Sequence, residues 1–204
     1  MVYKLHKNEI PKAGSILADA FQNDSLWNKI IEDGPNRENK FQACFETSIR
    51  YCYQFGEVYA SSENLEGIAG WVSGQAPEMN FWSMLQSGAI FPAIRMGANV
   101  LKKMGPIFKP LLKDRHENMK GKPYIYLFVI GVAAKHQGRG FGGKIMRVLI
   151  EKCEKQGIHL YLETESERNV EMYKRYGCKV IKQITLPLVD RPMWEMMRET
   201  RVYN

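Results

Sequence analysis

The chain has 204 residues, of which 45% are hydrophobic and 25% are charged, and 29 Lys and Arg against 22 Asp and Glu give a formal net charge of +7. This composition excludes an intrinsically disordered chain, and the length favours a single domain over residues 1–204. The longest uncharged run, Met79 to Ile94, contains Gly88 and Pro92 and is shorter than the ~20 apolar residues that a membrane span needs. No apolar segment follows the basic start of the chain, so we expect a cytoplasmic protein without a membrane partner.

The placement of basic residues and cysteines argues against two further classes of protein. The basic residues are scattered and are not interleaved with stacking aromatics, so we expect no nucleic-acid partner. No C-x-x-C pair occurs and the histidines lack metal-ligand spacing, so no metal site is expected. Cys44 and Cys52 lie on one face of a predicted helix and are expected to be buried free thiols.

Hydrophobic spacing in the first half predicts alternating helices and strands. A short strand precedes a helix with Pro11 near its first turn, and a second helix ends before Gly56. A hairpin follows, and then a Met-, Gly- and Pro-rich stretch that is predicted to be an insertion of short helices. The predicted elements are strand Val2–His6, a helix from Ile10, helix Glu38–Phe55, strands Glu57–Ser61 and Gly67–Val72, and the insertion 77–122 with helices Phe81–Ile90 and Ile94–Met104.

The second half has sharper patterns. The stretch from Tyr124 to Val132 lacks alternation and is rich in β-forming residues, which predicts a central buried strand. Strands interleaved with helices indicate an α/β or α+β sandwich. The remaining predicted elements are helix Gly142–Gln156, strand Ile158–Leu162, helix Ser166–Tyr176, strand Cys178–Leu186 and strand Pro192–Arg198.

A glycine-rich loop with basic neighbours lies between the central strand and the next helix. Its sequence is KHQGRGFGG at positions 135–143. Glycines let the backbone approach an anion, and a helix N-terminus contributes about half a positive charge. The pattern therefore predicts a phosphate-binding loop, to which Lys135, Arg139 and Lys144 can add charge.

Two kinds of phosphate ligand fit this loop. Gly138-x-Gly140-x-x-Gly143 matches the dinucleotide fingerprint, and Glu163 ends the next strand where a ribose ligand would lie, so an NAD(P)-binding oxidoreductase domain is one alternative. Against it, the first glycine does not follow Val132 directly. The chain after the loop is also too short for the further βαβ units of a doubly wound fold.

Written as Gln137-x-x-Gly140-x-Gly142, the loop resembles the pyrophosphate-binding signature of the GNAT superfamily of N-acetyltransferases. The likeness covers positions 124–180, and its pattern is most similar to puromycin N-acetyltransferase-like members. The first 120 residues match only in element order, and Cys178 stands where the superfamily usually has Phe. The motifs that follow the loop in the superfamily's order are Leu162-Glu163-Thr164, Arg168-Asn169 and Tyr173-x-x-x-Gly177.

The resemblance implies a mixed, mostly antiparallel sheet that is splayed between two central strands, with helices on both faces and the helical insertion before the fourth strand. It implies acetyl-CoA as the cofactor. Asn169 would bind the pantetheine amide or, alternatively, cap its helix. The other residues implied to bind the cofactor are Ile130, Gly131, Val132, Gln137, Gly138, Arg139, Gly140, Phe141, Gly142, Gly143 and Tyr173.

The resemblance also implies direct attack by an amine, with Tyr173 as the general acid for the leaving thiolate and Tyr176 as a weaker candidate. An alkylamine with a pKa of about 10.4 is mostly protonated at neutral pH, so a base is needed. Glu163 is the first choice and His116 the second. Each has a plain alternative, since Glu163 can pair with Arg168 and His116 can be a solvated surface residue.

The acceptor is expected to be the primary amine of a small molecule. The Met-rich, aromatic insertion indicates an adaptable acceptor pocket, or alternatively side chains that pack in the core or form a dimer surface. Its basic and apolar composition favours a hydrophobic or aromatic amine, and the protein is expected to be a monomer or homodimer. A non-catalytic acyl-CoA-binding regulatory module is a third class of function beside the acyltransferase and the oxidoreductase.

Overall fold

The computed structural model describes residues 2–200, in which seven strands form one sheet. The strands are β1 (Tyr3–Lys4), β2 (Gly56–Ala60), β3 (Gly67–Ser73), β4 (Tyr124–Val132), β5 (His159–Thr164), β6 (Lys179–Leu186) and β7 (Arg191–Arg198). The helices are α1 (Ile10–Phe21), α2 (Ser25–Ile30), α3 (Arg37–Phe55), α4 (Phe81–Ser87), α5 (Ile90–Met96), α6 (Ala98–Asn118), α7 (Phe141–Gln156) and α8 (Glu167–Arg175). The strand order is β1-β2-β3-β4-β5-β7-β6.

The sheet is mixed and mostly antiparallel, which confirms the predicted fold class. Within the described strands, β4 and β5 are parallel and every other neighbouring pair is antiparallel. Helices cover both faces, because a strand that is apolar throughout must be buried on both sides. Leu17 of α1, Phe45 of α3 and Ile107 of α6 belong to one core cluster, whereas Ile145 and Leu149 of α7 belong to the other.

The insertion before β4 contains three helices, and the last one is longer than predicted. Helix α6 continues through Pro106 and Pro110, where the sequence predicted an end at Met104. A proline inside a helix removes a backbone hydrogen bond and costs ~3 kcal/mol or more. Ile107 and Leu111 are buried beside these prolines, and their burial in the core offsets that cost.

Helix α2 is missing from the elements predicted above. Its N-cap is Asp24, whose Oδ1 accepts hydrogen bonds from the backbone N–H groups of Leu26 at 2.9 Å and Trp27 at 3.0 Å. An Asp before a Ser-Leu-Trp segment is an N-cap signal, but the helix has only six residues and its spacing alone does not separate it from a turn.

The central strands β4 and β5 diverge halfway along β4. They pair over positions 124–127 and 159–162, and β4 then continues alone on that side to Val132. At the same place the register between β3 and β4 skips Phe128, which forms a bulge. A bulge bends its strand and increases the local twist. The sheet is therefore splayed between its two central strands, as the resemblance implied.

The cysteines and the helices agree with an ordinary globular interior. Cys44 and Cys52 are buried free thiols as expected, and Cys153 and Cys178 are as well. Burial raises the pKa of Cys153 to about 12 and that of Cys178 to about 11, so both stay protonated and unreactive at neutral pH. Between residues 2 and 200 no helix has the length and apolar character to cross a membrane.

Candidate active site

A large cleft opens where β4 and β5 separate. Its volume is about 2170 Å³, compared with ~300–1,000 Å³ for a pocket that holds one drug-sized ligand. The β4 edge over 128–132 has no strand partner on the β5 side, so its backbone groups there can bind a ligand. Helices α7 and α8 line one end of the cleft, and α3 and α6 line the other. Its size and its two ends fit two substrates bound together.

The glycine-rich loop forms the first end of the cleft. Gly138 and Gly140 have φ angles of +76° and +83°, in the left-handed region that residues with a Cβ rarely adopt. A Cβ at either glycine would meet no atom within 4 Å, so the space beside the loop is open. The loop leads directly into α7, whose first backbone N–H groups have no intrahelical partner. These features together suit a phosphate group.

The basic side chains of the loop are not equivalent. The Nζ of Lys144 donates a hydrogen bond of 2.6 Å to the backbone carbonyl of Ser61, so this ammonium anchors α7 to the turn between β2 and β3. Arg139 is exposed, and its guanidinium lies 5.4 Å from the centre of the Phe141 ring. Lys135 is exposed too. Of the three predicted cations, Lys144 is therefore held by the protein backbone, and Arg139 and Lys135 are exposed beside the loop.

All the residues predicted to bind the cofactor line the cleft, except Arg139. Packing also explains why position 131 is a glycine, since a Cβ there would lie 2.8 Å from Leu17 Cδ2 on α1. Asn169 is the third residue of α8, whose N-cap is Ser166, so it does not cap the helix. Its side chain makes no hydrogen bond to any other described residue, which leaves the amide free for a ligand.

Tyr173 and Tyr176 have different surroundings. Tyr173 is buried, lines the cleft and has no hydrogen-bond partner for its hydroxyl within residues 2–200. Burial raises the pKa of Tyr173 above its usual value, and the charge of Glu165 adds to this, so the phenol stays protonated at neutral pH. The hydroxyl of Tyr176 instead packs on the loop, 2.7 Å from where a Cβ of Gly143 would lie. Both tyrosines line the cleft, and the deeper burial of Tyr173 is what distinguishes them.

Glu163 lies deep in the cleft among three partners. The Tyr126 hydroxyl donates to Oε2 at 2.7 Å, and the Tyr161 hydroxyl lies 3.0 Å from Oε1. The guanidinium of Arg115 is 3.7 Å from Oε1, so Arg115 is the cationic neighbour, not Arg168 as the alternative reading predicted. Burial raises the pKa of Glu163, although Arg115 and the two tyrosines act in the opposite direction. A raised pKa makes the carboxylate a stronger base.

His116 lies outside the main cleft. Its side chain is 56% exposed, and its Nε2 is 2.8 Å from Oε1 of Glu78. The imidazole lines a smaller surface pocket, whereas the Glu78 carboxylate lines the main cleft and also contacts Arg115 at 3.2 Å. Glu78 therefore stands between His116 and the cleft, and this placement favours Glu163 over His116 as the base.

A second carboxyl group in the cleft, Glu165, is missing from the predicted site. It follows β5 directly and lies beside Asp24. Burial and the Asp24 carboxylate raise the pKa of Glu165 to about 8, against the charge of Arg191. At neutral pH Glu165 is therefore largely protonated and can donate a hydrogen bond to a ligand. Its position two residues after Glu163, on the same side of the chain, was the available signal.

Aromatic and methionine side chains line the second end of the cleft. They include Tyr51, Met79, Met104, Phe108 and Phe128. The rest of the insertion has other roles, since Met96 lies in the core and Phe81, Trp82 and Phe91 are exposed. Part of the insertion thus forms a pocket wall, and part forms core and surface.

The sheet contradicts the dinucleotide-binding alternative. A doubly wound fold needs a series of parallel strands, but in residues 2–200 a single pair, β4 and β5, is parallel. Glu163 also lies within a cluster of Tyr126, Tyr161 and Arg115 rather than alone at a ribose site.

Comparison with known proteins agrees with this geometry. The Acetyltransferase (GNAT) family model matches residues 104–178, which include β4, the glycine-rich loop, Glu163 and Tyr173. An uncharacterized N-acetyltransferase of Schizosaccharomyces pombe is 24% identical over 204 residues, covering 96% of this chain and 82% of its own length.

Solved structures share the whole fold. A Corynebacterium glutamicum acetyltransferase related to histone acetyltransferase HPA2 has a TM-score of 0.65 at 19% identity, over 98% of this chain and 96% of that one. A polyamine N-acetyltransferase of Drosophila melanogaster has a TM-score of 0.60 at 10% identity, over 98% and 99% of the two chains. The family match covers the sequence that builds the cleft, and the solved structures share the fold of the whole sheet, so the chain is an acyltransferase that is similar to GNAT acetyltransferases over residues 104–178.

Proposed function

We propose that residues 1–204 act as a single acetyl-CoA-dependent N-acetyltransferase domain, which moves an acetyl group to the primary amine of a small molecule. One observation carries this proposal: the cleft at the opening between β4 and β5 has an anion-binding glycine loop at one end and a buried carboxylate, Glu163, towards the other. A cleft with room for two substrates supports direct attack in a ternary complex, without an acyl-enzyme intermediate.

The cofactor end binds acetyl-CoA mainly through its backbone. Acetyl-CoA supplies the activated acetyl group. The loop from Gln137 to Gly143 and the first N–H groups of α7 bind its pyrophosphate, and the unpaired edge of β4 over Ile130–Val132 binds the pantetheine chain. The free amide of Asn169 adds a side-chain hydrogen bond.

Glu163 acts as the general base for the acceptor ammonium. The raised pKa of Glu163 increases the basicity of a carboxylate that would otherwise be a weak base at neutral pH. Tyr126 and Arg115 hold the carboxylate in place, since both contact it from the acceptor side of the cleft. His116 is the weaker proposal, because it reaches the cleft only through Glu78.

Tyr173 acts as the general acid that protonates the leaving thiolate. Its hydroxyl has no hydrogen-bond partner within the described chain, and burial keeps it protonated. The phenol is therefore in the form that can donate a proton as the C–S bond breaks and negative charge builds on the thiolate. Tyr176 packs on the cofactor loop and is the weaker candidate for this role.

The acceptor end favours an amine with an apolar or aromatic body. Tyr51, Phe108 and Phe128 offer ring faces, and Met79 and Met104 offer adaptable surface. Glu78 and Glu163 supply negative charge for the ammonium group. The Drosophila melanogaster neighbour forms N-acetylagmatine, so a polyamine is the second acceptor class to test. A relation to puromycin N-acetyltransferase-like members rests on the motifs over 131–177 alone.

Thermal melting with single ligands tests the cofactor first. Acetyl-CoA and free coenzyme A at about one hundred times their Kd should stabilise the protein by ~2.7 kcal/mol, and each kcal/mol raises the Tm of a chain this size by ~2–4 °C. NAD and NADP should leave the Tm unchanged. A panel of arylalkylamines and polyamines, assayed by release of free thiol, then identifies the acceptor. Stabilisation by a dinucleotide and not by coenzyme A would contradict the proposal.

The same panel addresses the remaining proposals about this protein. Binding of coenzyme A without turnover of any amine would favour the non-catalytic acyl-CoA-binding module instead. We also propose that the protein acts in the cytoplasm, as a monomer or homodimer. Fractionation and light scattering measure these two properties directly.

A further inference from the structure

A row of ionisable side chains crosses the sheet behind Glu163. The register places Glu163 of β5 opposite Glu195 of β7, and Glu195 opposite Lys182 of β6. Residues that are directly opposite point to the same face of a sheet, so the two glutamates face each other. Like charges in such positions repel, which favours a proton on one of the two carboxyl groups.

Helix α6 covers this row and contacts each of its members. Besides the Arg115 contact with Glu163 described above, Asn118 Nδ2 donates to Glu195 Oε2 at 2.9 Å. Lys182 Nζ lies 2.7 Å from Asp114 Oδ1, at the edge of the sheet where the Lys182 side chain is 39% exposed. The row thus runs from the cleft, through the buried Glu195, to an ion pair that reaches solvent.

Tyr161 joins the two glutamates. Its hydroxyl is 3.0 Å from Glu163 Oε1 and 2.9 Å from Glu195 Oε2. A hydroxyl has one proton and can donate to only one of these oxygens, so the second contact requires a proton on that carboxyl group. Glu195 is fully buried, and its Oε1 has no hydrogen-bond partner among the described residues. A buried charge with an unpaired oxygen is costly, which again favours the protonated acid.

We propose that Glu195 is the proton acceptor for Glu163, linked to it by the Tyr161 hydroxyl, and that this pair carries away the proton lost by the acceptor ammonium. The inference rests on the proposed role of Glu163 as general base. One N–H bond of the ammonium breaks and an O–H bond forms on Glu163. In the form of the protein whose Glu195 is ionised, Glu163 then gives that proton to the Tyr161 oxygen while the Tyr161 proton moves to Glu195. Glu163 is again a carboxylate, Tyr161 is unchanged, and Glu195 is the protonated acid, which releases its proton to solvent at the Lys182 edge of the sheet before the next cycle.

The groups around Glu195 allow it to take and release a proton near neutral pH. Burial, together with the charges of Asp114 and Glu163, raises the pKa of Glu195 to about 7, against hydrogen bonds from Tyr161 and Asn118. Lys182 on β6 is the cationic group that faces it. Tyr161 stays a phenol throughout, because burial and both glutamates raise its pKa far above the usual value.

A titration without substrate tests the shared proton. Protein labelled with ¹³C at the glutamate carboxyl carbons is titrated by NMR as the wild type, Glu163→Gln, Glu195→Gln, Tyr161→Phe and Met197→Leu. Coupled groups should respond to each other, so Glu163→Gln should lower the pKa of Glu195, and Glu195→Gln that of Glu163, by about one pH unit or more. Tyr161→Phe should change both pKa values. Met197 is buried against Tyr161 on the same face, and Met197→Leu is the packing control that should change neither.

Kinetics on the best amine of the panel test the transfer. Tyr161→Phe and Glu195→Gln should each lower kcat about tenfold and move the acid limb of its pH profile to lower pH, with the KM for acetyl-CoA unchanged. Glutamates that titrate independently, or a pH profile that neither variant moves, would overturn the inference. Coupled glutamates in a wild-type protein that acetylates no amine would instead refute the proposed function and leave the proton-sharing pair in place.

Discussion

The two ends of the cleft are built by different means. The cofactor end consists of backbone: an unpaired strand edge, two left-handed glycines and a helix N-terminus, all within residues 130–143. The acceptor end consists of side chains from α3, α6 and β4, which are far apart in the sequence. A backbone site tolerates changes of side chain but not of glycine, whereas a side-chain site can change its specificity without loss of the fold. Glu163 stands where the two ends meet.

The largest expected effect on activity comes from substitution of Glu163, where the two ends of the cleft meet. Glu163→Gln removes the base but keeps the size of the side chain, so kcat/KM for the amine should fall about 10²- to 10⁴-fold. The Kd for acetyl-CoA, measured by calorimetry, should stay the same. Glu171→Gln is the control, because Glu171 pairs with Lys174 on an exposed face of α8. Equal losses in both variants would remove Glu163 from the mechanism.

The next effect separates chemistry from binding at the cofactor end. Tyr173→Phe should lower kcat by about 10² while the Kd for coenzyme A stays constant, because only the proton donor is lost. Tyr176→Phe, in the same helix region, should change kcat little. The pH profiles of both variants should be measured at saturating amine. A Tyr176→Phe enzyme that is the slower of the two would reverse the assignment.

A change of backbone in the glycine-rich loop should weaken cofactor binding, the third largest expected effect. Gly140→Ala forces a residue with a Cβ into the left-handed region, and the backbone strain costs about 1–2 kcal/mol. If the loop relaxes to avoid this strain, it must return to the strained conformation to bind coenzyme A, and the same energy corresponds to roughly a 5- to 30-fold weaker affinity. Gly121→Ala is the matched control, since Gly121 has a φ of +74° and open space around it but lies away from the loop. Both variants should lose stability, and only Gly140→Ala should lose affinity.

The smallest effect concerns the support of the cofactor end. The backbone carbonyl of Glu66 accepts a hydrogen bond from Ala133 N–H, just before the loop, and its side chain accepts hydrogen bonds of 2.7 Å from the hydroxyl groups of Ser61 and Ser62. Although burial opposes it, these hydrogen bonds hold the pKa of Glu66 at about 2, below the ordinary 4.5. Glu66→Gln should therefore lower the free energy of unfolding by about 1–2 kcal/mol at neutral pH.

The pH dependence of the stability lost in Glu66→Gln follows from the direction in which folding shifts the pKa of Glu66. A depressed carboxyl pKa stabilises the fold fully above the unfolded pKa, and the contribution disappears as the pH falls through the folded value. Urea unfolding of the wild type and Glu66→Gln should thus differ most at neutral pH, and the difference should shrink from pH 4.5 towards pH 2. A difference that is constant with pH would show that the hydrogen bonds do not act through the charged form.

The cofactor end could be predicted from the sequence because its parts are local. The run of β-forming residues before the loop, the spacing of Gln137, Gly140 and Gly142, and the helical periodicity after it lie within one short segment. Element positions in this part agree with the structure to within one or two residues. The same reasoning ended α6 too early at Met104, because local proline rules do not include the burial of Ile107 and Leu111.

Residues that act together across the sheet could not be found this way. Arg115 reaches Glu163 from α6, Tyr161 bridges to Glu195, and Glu165 lies beside Asp24. Each of these pairs depends on strand register or on helix packing, and neither has a signature in a single sequence. Gly131 was predicted from the sequence, but only as a cofactor-binding residue. The structure adds that it has to be small, because α1 packs against it.

The sequence by itself predicted interleaved strands and helices and a glycine-rich loop suited to an anion, since these depend on periodicity and glycine content along a continuous stretch. The mostly antiparallel sheet and the candidate acid and base were implied by the resemblance to the GNAT superfamily, whose motifs lie in the same stretch. The tertiary structure alone decided that β4 and β5 part after residue 127, that Glu163 faces Glu195 rather than Arg168, and that His116 lies behind Glu78. The physical reason is distance along the chain: burial, charge pairing and pKa are set by neighbours in space, which only the folded sheet brings together.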